Sequence, residues 1–89
     1  MITIKFSKSF ERTYKKLIKC NPEKAIIILE KILLFQNNPQ HPSLTTHKLT
    51  GSLSQLHAFK VEYDLRIIFS YFNNLEVILE DIGTHDEVY

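Results

Sequence analysis

Residues 55–82 hold three apolar runs, QLHAFKVE, LRIIFSYF and LEVILEDI, with only Tyr63-Asp64 and Asn73-Asn74 between them. Each run has the length and the β-branched and aromatic content of a strand. Connections this short join antiparallel neighbours, because a parallel pair needs a crossover of a dozen residues or more. The last third of the chain therefore predicts a three-stranded antiparallel meander. Its first hairpin is expected to turn through Glu62-Tyr63-Asp64, a three-residue loop of a common kind. Its second is expected at Asn73-Asn74, where asparagine tolerates positive φ.

Upstream, "ITIKF" alternates like a short strand, with Ile2, Ile4 and Phe6 on one side. Ser7 or Ser9 then caps a helix in which Phe10, Tyr14, Leu17 and Ile18 recur at helical spacing and leave Lys8, Arg12, Lys15, Lys16 and Lys19 on the other faces. Asn21-Pro22-Glu23 reads as both the stop of this helix and the start of a second, with Asn21 as N-cap, Pro22 at N1 and Glu23 suiting the dipole. That helix, PEKAIIILEKILLFQNN, is apolar over a wide arc through Ala25, Ile28, Leu29, Ile32 and Phe35. The following "NNPQHPSLTTHKLTGS" has no helical period and reads as a long connection. The expected fold class is α+β: an N-terminal strand, a helical hairpin and the meander. Both helices pack on one face of the sheet, because Phe10, Leu17, Ile28 and Ile32 need that burial.

With 89 residues and 44% hydrophobic content, the chain suffices for one modest core, so residues 1–89 are expected to form a single domain. The one cysteine, Cys20, excludes an internal disulfide, and no Cys/His spacing resembles a zinc site; neither metal nor cofactor is expected. The apolar stretches are too short or too interrupted to span a bilayer and the N-terminus lacks a secretory pattern, so a cytoplasmic protein is expected. A net charge of +1 does not announce a nucleic-acid binder, although cations crowd the N-terminal segment and carboxylates the C-terminal one.

Arg66 is out of place in the apolar run Leu65–Phe69. With the hairpin drawn above, Val61 faces Leu65 and Phe59 faces Ile67 on the buried side, while Lys60 faces Arg66 on the other. Directly opposed cations repel, and the arrangement makes sense when an anion such as a phosphate sits between them. The structural alternative is that Glu62, Asp64 or Glu80 neutralises Arg66 and nothing binds there.

"HKLTG", "FKVEYDLRIIFSY" and the terminal "DIGTHDEVY" together resemble the RelE/ParE toxin superfamily, and within it the RelE-like and YafQ-like ribosome-dependent mRNA interferases of type II toxin–antitoxin modules. The likeness runs over nearly the whole chain. It implies metal-independent cleavage of mRNA in the ribosomal A site with the ribose 2′-hydroxyl as nucleophile, and silencing by a cognate antitoxin in a hetero-oligomer. Position by position, it implies that Arg66 holds the scissile phosphate, that His85 is catalytic and that Tyr89 is a terminal aromatic steering a nucleotide. His47 and Asp64 also match functional positions, and Lys60 and Lys48 are expected to bind RNA. Asp81 departs from the pattern, standing where YafQ-like members carry a further arginine. Two alternatives share the fold: a ParE-like toxin that poisons DNA gyrase by protein contacts, and a decayed member that binds only its antitoxin.

Overall fold

The computed structural model describes residues 1–51 and 55–84. Its elements are β1 (Thr3–Phe6), α1 (Lys8–Cys20), α2 (Lys24–Asn37), a 3-10 turn (Pro42–Leu44), β2 (His47–Lys48), β3 (His57–Glu62), β4 (Leu65–Asn73) and β5 (Glu76–Gly83). The strands form one sheet in the order β1-β5-β4-β3-β2, in which β1 runs parallel to β5 and the other pairs are antiparallel. The expected α+β architecture is thus present, with β1 beside the meander.

Both helices lie on one face of this sheet. Phe10 of α1 and Ile28 and Phe35 of α2 share a core with Phe59, Ile67, Phe69, Val77, Leu79 and Ile82, all but inaccessible to solvent. Phe35 stacks on Phe59 at 4.3 Å between centroids and tilts against Phe69 at 4.7 Å. The opposite, outer face carries a smaller cluster of Leu49, Ala58 and Ile68, with Leu56 against it. Alternation along β3 and β4 therefore sends Phe59, Ile67 and Phe69 inward and Ala58, Lys60, Arg66 and Ile68 outward.

Several local expectations need refinement or correction. Of the two serines expected to cap α1, Ser7 does so, accepting from the Phe10 amide at 2.9 Å. Asn21 ends α1 as expected but does not cap α2: its amide donates to the Leu17 carbonyl at 2.9 Å, its carbonyl accepts from Lys24, and α2 starts at Lys24 without a side-chain cap. The cap position of α2 falls on Glu23, beyond Asn21, because Pro22 and Glu23 are taken up in the turn between the helices. Leu29 is 57% exposed, whereas Ile28 and Phe35 are the buried residues of α2. With Phe6, Phe10, Tyr14 and Ile32 it lines a groove of about 450 Å³ between the helices.

The second hairpin does not use positive φ, which among the described residues occurs only at Thr45 and Gly51. Instead the Asn73 side chain accepts from the Leu75 amide at 2.8 Å, an Asx turn. The long connection is not featureless: it contains the 3-10 turn and the two-residue strand β2 on the free side of β3. In the first hairpin Phe59 pairs with Ile67 and Lys60 with Arg66, as expected, but Glu62 and not Val61 pairs with Leu65, leaving Val61 as a β-bulge.

Candidate active site

The outer face of the sheet positions the charged residues singled out above. Lys60 and Arg66 are register partners, so their side chains leave the same side of the sheet from strands about 4.8 Å apart. Both are half-buried at their bases. The Arg66 guanidinium folds back over the hairpin, where Nη1 donates to the carbonyls of Glu62 (2.8 Å) and Tyr63 (3.0 Å). Two bonds use both hydrogens of Nη1. The Nε–Hε and Nη2–H groups, a parallel pair suited to two oxygens of one phosphate, make no hydrogen bond to a described residue.

None of the three carboxylates that would make Arg66 purely structural takes that part. Among the described residues the ion pairs are Lys5 with Glu76 and Lys24 with Glu62. Glu80 accepts from Ser70 Oγ at 2.6 Å, and Asp64 stands exposed in the turn. Lys24 is held above its ordinary pKa by the hydrogen bond to Glu62, against the opposing effect of burial, with the charges of Glu62, Glu23 and Asp64 adding to it. The acidic turn is thus spent on α2 rather than on Arg66.

A second row of the same face runs His47, Ala58, Ile68, Asp81 across four strands. His47 projects to the Arg66 side, about 12 Å from it by strand spacing and rise. Its Nδ1 lies 2.8 Å from the Thr45 carbonyl. A carbonyl only accepts, so Nδ1 carries the hydrogen of this bond. Lys48 pairs with His57 and so leaves the helix-bearing side, away from Arg66. Asp81 lies on the outer face, one row from Arg66, its Oδ1 accepting from the Ile82 amide at 2.9 Å. His85 and Tyr89 lie outside the described residues.

Two features of this region escaped sequence reasoning. Tyr63, whose carbonyl accepts from Arg66, is 90% exposed at the tip of the hairpin; a tyrosine in a polar turn with no apolar neighbour was the available signal. His57 turns inward, stacked on Phe69 at 5.3 Å and edge-on to Tyr71 at 5.0 Å, its Nδ1 buried with no partner among the described residues. Burial, then the charges of Lys48 and His47, push its pKa below the ordinary 6.5.

A two-helix layer on one face of a small five-stranded mixed sheet, with Lys60 and Arg66 on the other face, is the form of the RelE-like bacterial toxins, and the matches to known proteins agree. The family model described as the bacterial toxin of type II toxin–antitoxin system, YafQ, matches residues 2–89. Similar solved structures include a copper-bound mutant toxin from Helicobacter pylori, with 23% identity, TM-score 0.81 and 100% of both chains covered. YafQ from Escherichia coli shares 21% identity at TM-score 0.81, over 100% of this chain and 99% of that one. The Escherichia coli DinJ-YafQ toxin-antitoxin complex matches at 22% identity and TM-score 0.73, over 99% of this chain and 97% of that one. Among curated proteins no sequence matches the chain. The chain belongs to the YafQ toxin family of type II toxin–antitoxin systems, and is an mRNA interferase by family.

Proposed function

We propose that residues 1–89 act as one toxin domain that cuts messenger RNA in the ribosomal A site without metal, using the ribose 2′-hydroxyl adjoining the scissile phosphate as nucleophile. The observation that carries this reading is the Lys60–Arg66 pair: two opposed cations on an open face, unneutralised by any described carboxylate, with one edge of the guanidinium presented. Attack by the 2′-oxygen forms a bond to phosphorus and breaks the bond to the 5′-oxygen. The step needs a base for the 2′-hydroxyl, charge stabilisation on the phosphoryl oxygens and a proton for the 5′-oxygen. Arg66 supplies the charge, permanently cationic and bidentate, and Lys60 adds to the field from the facing strand.

For the proton transfers the chain offers His85, matching the catalytic histidine of YafQ-like members, with His47 and Asp64 at further functional positions. His47 on the Arg66 side, its ring held by the Thr45 carbonyl, supports that role for it. Tyr89 and the exposed Tyr63 of the hairpin turn offer aromatic faces on which a base can stack. The partners on this reading are the ribosome, the message and a cognate antitoxin, as in the DinJ-YafQ toxin-antitoxin complex. The setting is the cytoplasm; no helix among the described residues is long and apolar enough to cross a membrane.

Brief induction of the protein followed by mapping of transcript 5′ ends tests the function. New ends inside translated codons, absent when translation initiation is blocked and absent when the antitoxin encoded beside it is co-expressed, are expected. Growth arrest with intact transcripts and inhibited DNA gyrase would establish the ParE-like alternative instead.

A further inference from the structure

Arg66 is held by its own hairpin, and the hairpin is held by α2. Regular alternation from Lys60 would carry Glu62 to the outer face. The bulge at Val61 turns it to the helix side, where its Oε2 pairs with Lys24 in the first turn of α2. The Glu62 carbonyl meanwhile accepts from Arg66 Nη1 on the outer side. One residue therefore joins a helix on one face of the sheet to the guanidinium on the other.

We propose that Lys24 and Glu62 are positioning residues for Arg66: their ion pair fixes the bulged turn whose carbonyls engage Nη1, so that the Nε–Hε and Nη2–H edge stands ready for the phosphate. The proposal rests on the reading of Arg66 as the phosphate clamp. A long arginine on a surface strand otherwise samples many rotamers, and ordering it at the moment of reaction raises the barrier. Outer-shell groups that orient the ligands of a metal site are worth about 10–100-fold when removed, and the same scale is expected for groups that orient a phosphate clamp.

The test uses Lys24→Met, Glu62→Gln and the exchanged pair Lys24→Glu with Glu62→Lys, each read in two ways. The chain has two arginines, Arg12 and Arg66, so the Nε–Hε signal of Arg66 is assigned by its loss in Arg66→Lys. In the free protein this signal is expected to be rigid, to lose order in each single variant and to regain it in the exchanged pair. On programmed ribosomes, the single-turnover rate at saturating toxin is expected to fall about 10–100-fold in the single variants and to recover in the exchanged pair. The half-saturating toxin concentration should not move, which separates positioning from loss of fold or of binding. Single variants that keep an ordered Arg66 and the wild-type rate overturn the proposal. So does an exchanged pair as disordered and slow as its parents, or a fall in rate matched by a fall in melting temperature and in binding. If the wild-type protein cuts nothing, the proposed function fails, and the Arg66 signal alone then decides whether the ion pair positions the guanidinium.

Discussion

Arg66 bonds the Glu62 carbonyl at 2.8 Å across its own turn, while the Glu62 carboxylate reaches the other way to Lys24. Arg66 is therefore a cation stitched to main chain, with no carboxylate partner among the described residues. That distinction sets what its removal should do to stability.

Replacing Arg66 by Ala removes two hydrogen bonds to partly exposed carbonyls that water can satisfy, and relieves its repulsion with Lys60. A loss of about 1 kcal/mol in unfolding free energy is expected by denaturant titration. A loss of about 3–5 kcal/mol would instead mean that a buried ion pair had been broken.

The inward-facing His57 makes stability pH-dependent. Its folded pKa lies below 6.5, so the unfolded chain binds the proton more readily and stability falls as pH drops from 6.5 toward the folded pKa. Above 6.5 both states are neutral at this site and the contribution is constant. His57→Phe keeps the aromatic contacts with Phe69 and Tyr71, and thermal melts between pH 7 and 5 should show a shallower decline in the variant. An unchanged slope would assign the dependence to other groups.

Asp81 sits on the outer face about 8 Å from Arg66 between Cα atoms by sheet geometry. At that distance in water a unit charge repels a phosphate by about 0.5 kcal/mol. Asp81→Asn should thus tighten association with ribosomes about two- to threefold at low salt, the gain vanishing as ionic strength rises. Association that is tighter at every salt concentration would require a contact rather than a field.

The resemblance of the terminal segment to YafQ-like toxins makes a distinct prediction for His85 and Tyr89. His85→Gln should still associate with ribosomes while its cleavage rate drops about 10²–10⁴-fold, the usual range for a lost acid or base. Tyr89→Ala should weaken binding by about 1–3 kcal/mol, the worth of one stacked base. Quench-flow cleavage together with co-sedimentation separates the two effects.

The sheet was readable because its strands carry strong apolar runs with the shortest possible connections, and the Lys60–Arg66 register followed from them. What sequence did not reveal was the bulge at Val61. A single unpaired residue leaves no mark on an alternating pattern, yet it decides that Glu62 turns to Lys24 rather than to Arg66. The edge strand His47–Lys48 was hidden for a related reason: two residues have no period, and only pairing with His57 and Ala58 makes them a strand. Asn21 was legible as the stop of α1 but not as a residue outside α2, because a C-cap followed at once by the next helix offers the same residue to two roles and local preference ranks both highly.

Single-turnover cleavage of messenger RNA on programmed ribosomes by wild-type protein, Arg66→Lys and Arg66→Ala tests the central claim most directly. Lysine keeps the charge but loses the two-pronged grip, so Arg66→Lys should cut at least about 10²-fold more slowly than wild type and Arg66→Ala more slowly still, both folded and destabilised by no more than about 1 kcal/mol. Either variant cutting at the wild-type rate would contradict the assignment of Arg66 as the phosphate clamp.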